Sequence, residues 1–382
     1  MIAATIGGMS SFTPLHAFQI NSGGENGSYH QHFCPTLSKE LKKAQFDYDC
    51  TTSDGSRENL QRVASQPSQI GFSQLDVYSY ETVLRNQRGK HEIIRYDLAK
   101  ECLFMVTKNK SLTNYGQVLN SAENLNFILS PQTSGSAGTF EFLQRIDPDG
   151  LGAAGSITYT DTTDEALRQV LNSDDESAIT LFVQFPDPDN ARFKMIAENE
   201  GHFIPVIDRT ILRQEIGGEK VYFAEETEIT NASWMTSGKK VVSSCTPMVL
   251  FTGAPALFPA GKTHDEQKDL IRTANAIPAE NLRKKPGLLK SIYNQTKALS
   301  AASVEAMLEA TETAKNAAEP YVKKAQEATK PMLDSASEAG RQAQESAKPM
   351  LEGLEKFGQK TLDKAGELTK KATDKAKDLV SQ

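Results

Sequence analysis

Residues 46–64 read Phe-Asp-Tyr-Asp-Cys-Thr-Thr-Ser-Asp-Gly-Ser-Arg-Glu-Asn-Leu-Gln-Arg-Val-Ala. Phe46 to Thr52 alternates apolar and polar residues and predicts a strand. Ser53 to Asn59 breaks it with turn residues and opens a helix over Asn59 to Ala64. A strand that ends in a Gly/Ser loop and runs into a helix is the repeating unit of an α/β fold.

The same unit recurs outward from there. Upstream, Phe18 to Asn21 reads as a strand, Ser22 to His30 as a Gly-rich turn, and a helix follows through Leu41. Downstream, Ile70 to Gln74 is a short strand with a helix starting near Asp76, and Cys102 to Thr107 is a fully apolar strand. The rhythm then restarts. A helix near Tyr115 to Leu119 is followed by a strand over Asn126 to Leu129, a loop over Ser130 to Gly138 and a helix over Thr139 to Arg145. Ile157 to Thr160 and Ile179 to Gln184 are strands on either side of a helix over Glu165 to Leu171. Phe203 to Ile207, Val221 to Phe223 and the long apolar run Val241 to Thr252 close the body. Two βα sets in sequence predict two lobes, with boundaries at 18–107 plus 240–298 and at 108–239.

Composition narrows the class. The 382 residues carry a formal charge of −7 and are 38% hydrophobic. A basic footprint for nucleic acid is absent, so no nucleic-acid partner is expected. No apolar run reaches the ~18 residues a spanning helix needs. Residues 1–17 are small and apolar without Lys or Arg, and read as a secretory signal peptide lacking its basic start. From about residue 299 onward the chain turns Ala/Lys/Glu-rich, with Tyr321 and Phe357 as its aromatics. There Val322, Leu333, Leu351, Leu362 and Val380 fall on one face at a period of ~3.6, which predicts an amphipathic helical tail over 299–382. Pro320, Pro331 and Pro349 would kink it in one phase. A stalk that binds nothing, weak membrane-surface contact and docking on a partner all fit this pattern.

Three Gly/Ser-rich loops, at 22–28, 53–56 and 133–138, follow strands and precede helices. Such loops aim free amides and the positive helix end at an anion. No Walker, HExxH, GxSxG or CxxC motif is present. The histidines read as solvated or packed, and Asp187-Pro-Asp189 as a stiff turn, so no metal, no cofactor and no enzyme activity is expected. Cys34, Cys50, Cys102 and Cys245 allow three disulfide pairings, or stand as buried thiols. Cys102 with Cys245 and Cys34 with Cys50 is the pairing that follows if the two apolar strands cross between lobes.

These loops, in this order, resemble the TAXI-type solute receptors of TRAP transporters, within the type II periplasmic binding-protein fold. Gly23-Gly24, Gly27 and Tyr29 resemble the family's first loop. Gly55-Ser56-Arg57-Glu58-Asn59-Leu60 is similar to its Gly-Ser-x-Glu-Asn-Leu, Gln74-Leu75-Asp76-Val77 to its Gln-Ser-Asp-Val, and Ser134 to Thr139 to its Gly-Ser-Gly-Thr loop. The match spans roughly 18–255. Pro35 departs from it by falling where the first helix should run, and the tail is foreign to it. The resemblance implies a two-lobed α/β receptor in a Gram-negative-type periplasm. It would close on a small carboxylate or an amino acid such as glutamate and deliver it to TRAP membrane subunits. Gly24, Gly27, Ser28, Tyr29, Ser56, Arg57, Asn59, Gln74, Asp76, Ser134, Ser136, Thr139, Gln184 and Phe185 would form the site. Arg57 reads either as a carboxylate clamp or as a surface charge. The competing expectation is an envelope interaction protein with a degenerate cleft, acting through its tail.

Overall fold

The structure, a computed structural model, describes residues 18–85, 87–231, 238–283 and 296–316. The expected signal segment and the apolar tail positions from Tyr321 to Val380 lie outside the described residues. The strands are β1 (Phe18–Asn21), β2 (Tyr48–Thr51), β3 (Ile70–Gln74), β4 (His91–Arg95), β5 (Lys100–Thr107), β6 (Asn126–Leu129), β7 (Ser156–Tyr159), β8 (Ala178–Gln184), β9 (His202–Ile204), the small hairpin β10 (Glu215–Ile216) and β11 (Glu219–Lys220), β12 (Phe223–Glu228), β13 (Lys240–Gly253) and β14 (Thr296–Ala298). The helices are α1 (Cys34–Lys43), α2 (Ser56–Ser65), α3 (Leu75–Ser79), α4 (Tyr115–Ser121), α5 (Gly135–Ile146), α6 (Thr163–Asn172), α7 (Ala191–Glu198), α8 (Arg209–Leu212), α9 (Lys262–Ala276) and α10 (Ala279–Arg283).

The chain builds the same sheet twice. In the first lobe the order is β2-β1-β3-β13-β4, with β1, β2 and β3 parallel and β13 antiparallel to both its neighbours. In the second it is β7-β6-β8-β5-β9, with β6, β7 and β8 parallel and β5 antiparallel to β8 and β9. Each lobe therefore has the 2-1-3 start of a doubly wound sheet, completed by one antiparallel strand. This is the two-lobed type II periplasmic binding-protein arrangement, each lobe a mixed sheet flanked by helices.

β5 and β13 join the lobes. They pair antiparallel at Cys102↔Cys245, Thr246↔Glu101 and Pro247↔Lys100. Beyond that stretch β5 continues into the second sheet, while β13 pairs with β3 and β4 in the first. Both are buried along nearly their whole length, as strands packed on both faces must be. Disulfides join Cys102 to Cys245 and Cys34 to Cys50. The first links the two crossover strands, the second ties α1 to β2.

Apolar clusters cover both faces of each sheet. Ile20, Phe33, Leu37, Leu41, Phe72 and Leu250 form one face of the first lobe, and Leu60, Val63, Val77 and Phe251 the other. Phe127, Phe140, Leu143 and Leu181 fill the second lobe beneath α5, and Phe104, Phe182 and Phe193 its far face. The expected disturbance at Pro35 is absorbed locally. A π-helical turn over Tyr29–Phe33 comes first, with the Cys34 amide bonded to the Tyr29 carbonyl, and Pro35 follows as the second residue of α1. Helix α5 begins at Gly135, four residues before the expected start, because Ser134 caps it through the Ala137 amide.

The start of the expected tail packs on the second lobe. Residues 301–316 are helical, with Leu308 and Thr311 buried. Arg209 pairs with Glu305 and Glu312, Lys315 with Asp147, and Asn120 Nδ2 donates to the Ala314 carbonyl. The helix reaches α4 so closely that a Cβ on Gly116 would lie 2.2 Å from the Thr311 carbonyl oxygen. Replacing Gly116 by Val should therefore lift 301–316 at a cost of about 1–3 kcal/mol, without disturbing the core behind α4. Amide hydrogen exchange should accelerate in 301–316 alone, and unchanged protection there would refute the contact.

Candidate functional site

In open α/β sheets the ligand crevice lies beyond the carboxyl ends of the strands, where strand order reverses. In the first lobe that point falls between β1 and β3, at Ser22 and Gln74. In the second it falls between β6 and β8, at Ser130 and Gln184. The two crevices face each other across one cavity of about 320 Å³. It is lined from the first lobe by the 22–29 loop, residues 53–56, Gln74 and Glu101. From the second come Pro131, Ser134 to Ser136, Asp161 to Asp164, Val183 to Phe185 and Arg192.

Local chemistry sets the first wall. Gly23 takes a positive φ of 74° and bonds the next loop in both directions, its amide to Ser53 Oγ and its carbonyl to the Ser53 amide. Ser53 Oγ donates to Asn59 Oδ1, and Asn59 Nδ2 donates to the Phe72 carbonyl. Asn59 thus braces the loop from behind. Tyr29 stacks on Phe72 at 5.1 Å and meets Phe185 edge-on at 5.7 Å. Its hydroxyl donates to Glu101. Ser56 Oγ donates to Gln74 Oε1.

The opposite wall hangs on helix starts. Ser134 caps α5, and Ser136 Oγ accepts from the Val183 amide at 3.0 Å. Thr162 caps α6 through the Glu165 amide. First-turn amides such as those of Gly135 and Ser136 have no carbonyl partner within the helix. The lobes approach closely here. Gly55 has a φ of 133°, and a Cβ on it would lie 3.1 Å from the Gly135 nitrogen across the cleft.

Ten of the fourteen expected residues line this cavity: Gly24, Gly27, Ser28, Tyr29, Ser56, Gln74, Ser134, Ser136, Gln184 and Phe185. Four do not. Asn59 is the brace just described. Asp76 is fully buried and accepts from Thr139 Oγ1 at 2.6 Å and from the Tyr222 hydroxyl at 2.7 Å, so Asp76 and Thr139 face each other across the lobes. Arg57 does not line the cavity and is buried rather than a surface charge. It is 4% exposed, donates from Nε to Glu81 at 2.7 Å, and grips Glu141 of the second lobe from both terminal nitrogens at 2.7 and 2.5 Å. Its guanidinium fork is filled by the protein's own carboxylates, an arrangement suited to a fixed pin between lobes.

Charged residues of the cavity were not legible from motifs. Glu25, Asp54, Glu101, Asp161 and Asp164 line it together with Arg192. Glu101 had a signal: a carboxylate heading the apolar run at Cys102 has to answer for its burial. Arg192 lies in the first turn of α7 and stood in no recognised pattern. Among the described residues, His91 bonds the Leu60 carbonyl, His202 the Leu112 carbonyl, His264 the Pro255 carbonyl, and His30 the Ser22 hydroxyl. Around Asp187-Pro-Asp189, the Asp189 amide donates to Asp187 Oδ1, and Asn231 Nδ2 donates to Asp189.

Burial controls the ionisation of this wall. Glu101 is pushed up to about 8, chiefly by desolvation, with the nearby Asp76 charge adding and the Tyr29 hydrogen bond opposing. The Tyr29 hydroxyl is pushed up by burial and then by Glu101. Asp76 is also raised by burial, against the hydrogen bonds from Thr139 and Tyr222.

No protein-family model and no curated protein sequence matches the chain. Among solved structures, it is similar to one described as a periplasmic transporter, at 10% identity, covering 82% of this chain and 98% of the other with a TM-score of 0.42. A periplasmic thiamin-binding protein aligns at 11% identity over 78% and 96%, with a TM-score of 0.41. A phosphate-bound substrate-binding protein of a putative phosphate ABC transporter from Clostridium perfringens aligns at 12% identity over 74% and 100%, with a TM-score of 0.38. These likenesses are too distant to carry an argument about function.

Two outcomes test the pins and the wall. Arg57→Met leaves Glu81 and Glu141 with only the half-exposed Arg85 as a cation, and should still cost on the order of 3 kcal/mol in denaturant unfolding. A loss below ~1 kcal/mol would mean that the pair is not a pin. Glu101 stays protonated in the fold up to about pH 8 but ionises from about pH 4.5 when unfolded. The folded state then binds more protons between those values, so stability falls as pH rises through them and levels off above. At ~1.4 kcal/mol per unit this amounts to a few kcal/mol. Glu101→Gln should remove that fall and give a flatter Tm profile between pH 5 and 8. An unaltered profile would show that Glu101 ionises normally.

Proposed function

We propose that this chain is an extracytoplasmic solute-binding protein that closes its lobes on a small carboxylate or amino acid. In this reading it works in a Gram-negative-type periplasm and delivers the solute to the membrane subunits of a TRAP-type transporter. The observation that carries the reading is the convergence of two strand-order reversals, one per lobe, on a single cavity of solute size. The pairing of β5 with β13 supplies a narrow connection about which such lobes can move. The resemblance of the 22–29, 53–60, 74–77 and 134–139 stretches to TAXI-type receptors supports the transporter class. Between the two ligand classes, the lining favours an amino acid. With Glu101 protonated, four other carboxyl residues and one arginine line the cavity among the described residues, and they suit a solute that carries an ammonium better than one with two carboxylates.

No step of turnover belongs to this reading: the protein captures and releases. Thermal unfolding of the full chain against amino acids and small mono- and dicarboxylates tests it. A solute bound by the native state alone raises stability by ~4 kcal/mol at a thousandfold excess over Kd, a shift of several degrees. A stereospecific hit is expected among the amino acids. A flat response from folded protein freed of co-purified solute would overturn the reading and leave the interaction role of the C-terminal region in its place.

A further inference from the structure

We infer that Arg192 and Gln184, both of the second lobe, form the anchor for an oxyanion of the solute. This rests on the receptor reading above and deepens it by naming the residues that hold the solute's anionic end.

The inference starts from one unsatisfied atom. Gln184 ends β8, is 4% exposed and lines the cavity. Its Oε1 accepts from Arg192 Nη1 at 2.8 Å. A guanidinium only donates, so the carbonyl end of the glutamine must face the arginine and the amide end must face away. That amide nitrogen, Nε2, has no hydrogen-bond partner among the described residues. A buried donor left unpaired is costly, and a native structure keeps one where something external completes it. The missing partner is an acceptor oxygen.

Arg192 supplies the complementary charge. Asn190 fixes its backbone by capping α7 through the Arg192 amide at 3.0 Å. Its Nε donates to Asp164 Oδ1 at 2.5 Å, and the other Asp164 oxygen accepts from Asn26 of the first lobe's glycine loop at 3.4 Å. Two of the five guanidinium donors are thereby used, and three remain without a protein partner among the described residues. Arg192 is also the one Lys or Arg lining the cavity among those residues. A planar oxyanion such as a carboxylate can accept from the guanidinium edge and from Gln184 Nε2 together. This assigns the anion to a side-chain pair, rather than to Arg57 or to the glycine loops alone. It also couples the anion to closure, since Asp164 positions the arginine while holding Asn26 across the cleft.

The test uses the full chain and calorimetric titration with small carboxylates, each paired with its neutral primary amide. Wild type should bind a carboxylate. Arg192→Met should weaken it roughly 100-fold and Gln184→Leu about 10-fold, the range expected for charged and neutral hydrogen bonds. Arg192→Lys, which keeps the charge and loses the fork, should fall between wild type and Arg192→Met. Binding of the matching amide should change less than about threefold in every variant. If Arg192→Met fails to fold by circular dichroism, Arg192→Lys and Gln184→Leu decide the matter. A carboxylate bound equally well by all variants overturns the anchor and leaves the receptor reading standing. So does a protein that binds only neutral or cationic solutes. No binding of any solute overturns both.

Discussion

Two strands decide how much of this molecule can move. β5 and β13 meet over three residue pairs, and apart from the separate hairpin β10–β11 every other described strand belongs to one lobe's sheet or the other, or hangs on β13 through β12. Backbone hydrogen bonds fix that junction, and the disulfide between Cys102 and Cys245 reinforces it within the same pair of strands. The junction also sets the cavity floor, because Glu101 lies beside Cys102 and pairs with Thr246. Any bending at the junction changes the separation between Glu101 and Tyr29 on one side and Gln184 on the other. The ligand wall and the connection between lobes are therefore one piece of structure.

The contact between the lobes has its own chemistry, separate from the cavity. Arg57, Glu81 and Glu141, edged by the half-exposed Arg85, form a charged set across the lobes, and the buried Asp76 with Thr139 and Tyr222 forms a second, hydrogen-bonded one. Charges of this kind are expensive to bury and become tolerable only when geometry is complete. Each set spans the two lobes and would lose partners if they parted. The same logic explains the glycines facing each other at 55 and 135. Gly55 carries a backbone angle that side chains rarely adopt, and a side chain there would press on the Gly135 amide.

The fold was largely legible because its strands are apolar runs punctuated by Gly and Ser. Asn126 to Leu129 and Ile70 to Gln74 appear where alternation and turn residues predict them. β4 was not legible, since His91-Glu-Ile-Ile-Arg95 mixes charge with a short apolar core, and its burial comes from β13 beside it and from the apolar clusters on its two faces. α9 was missed for a related reason. Its sequence is mostly polar, and its burial depends on Leu270 and Ala274 meeting the first lobe. The docking of 301–316 was also hidden, because an Ala-rich helix has the same composition whether it packs on Gly116 or stands in water.

At the site, residue type was legible and partnership was not. Arg57 and Arg192 are both arginines at the start of a helix, each near a Gly/Ser loop or a stiff turn. Motif resemblance selects the first, yet the structure fills its fork with Glu81 and Glu141 and leaves Arg192 with open donors. Asn59 and Gln184 divide in the same way. Asn59 has both ends of its amide bonded within its own lobe, whereas Gln184 has one end bonded and the other buried without a partner among the described residues. A sequence pattern can preserve residues for either duty, because a brace and a ligand contact need the same hydrogen-bonding groups. The difference lies in the valence left over once the protein has folded, and that quantity depends on partners as far as 84 positions away.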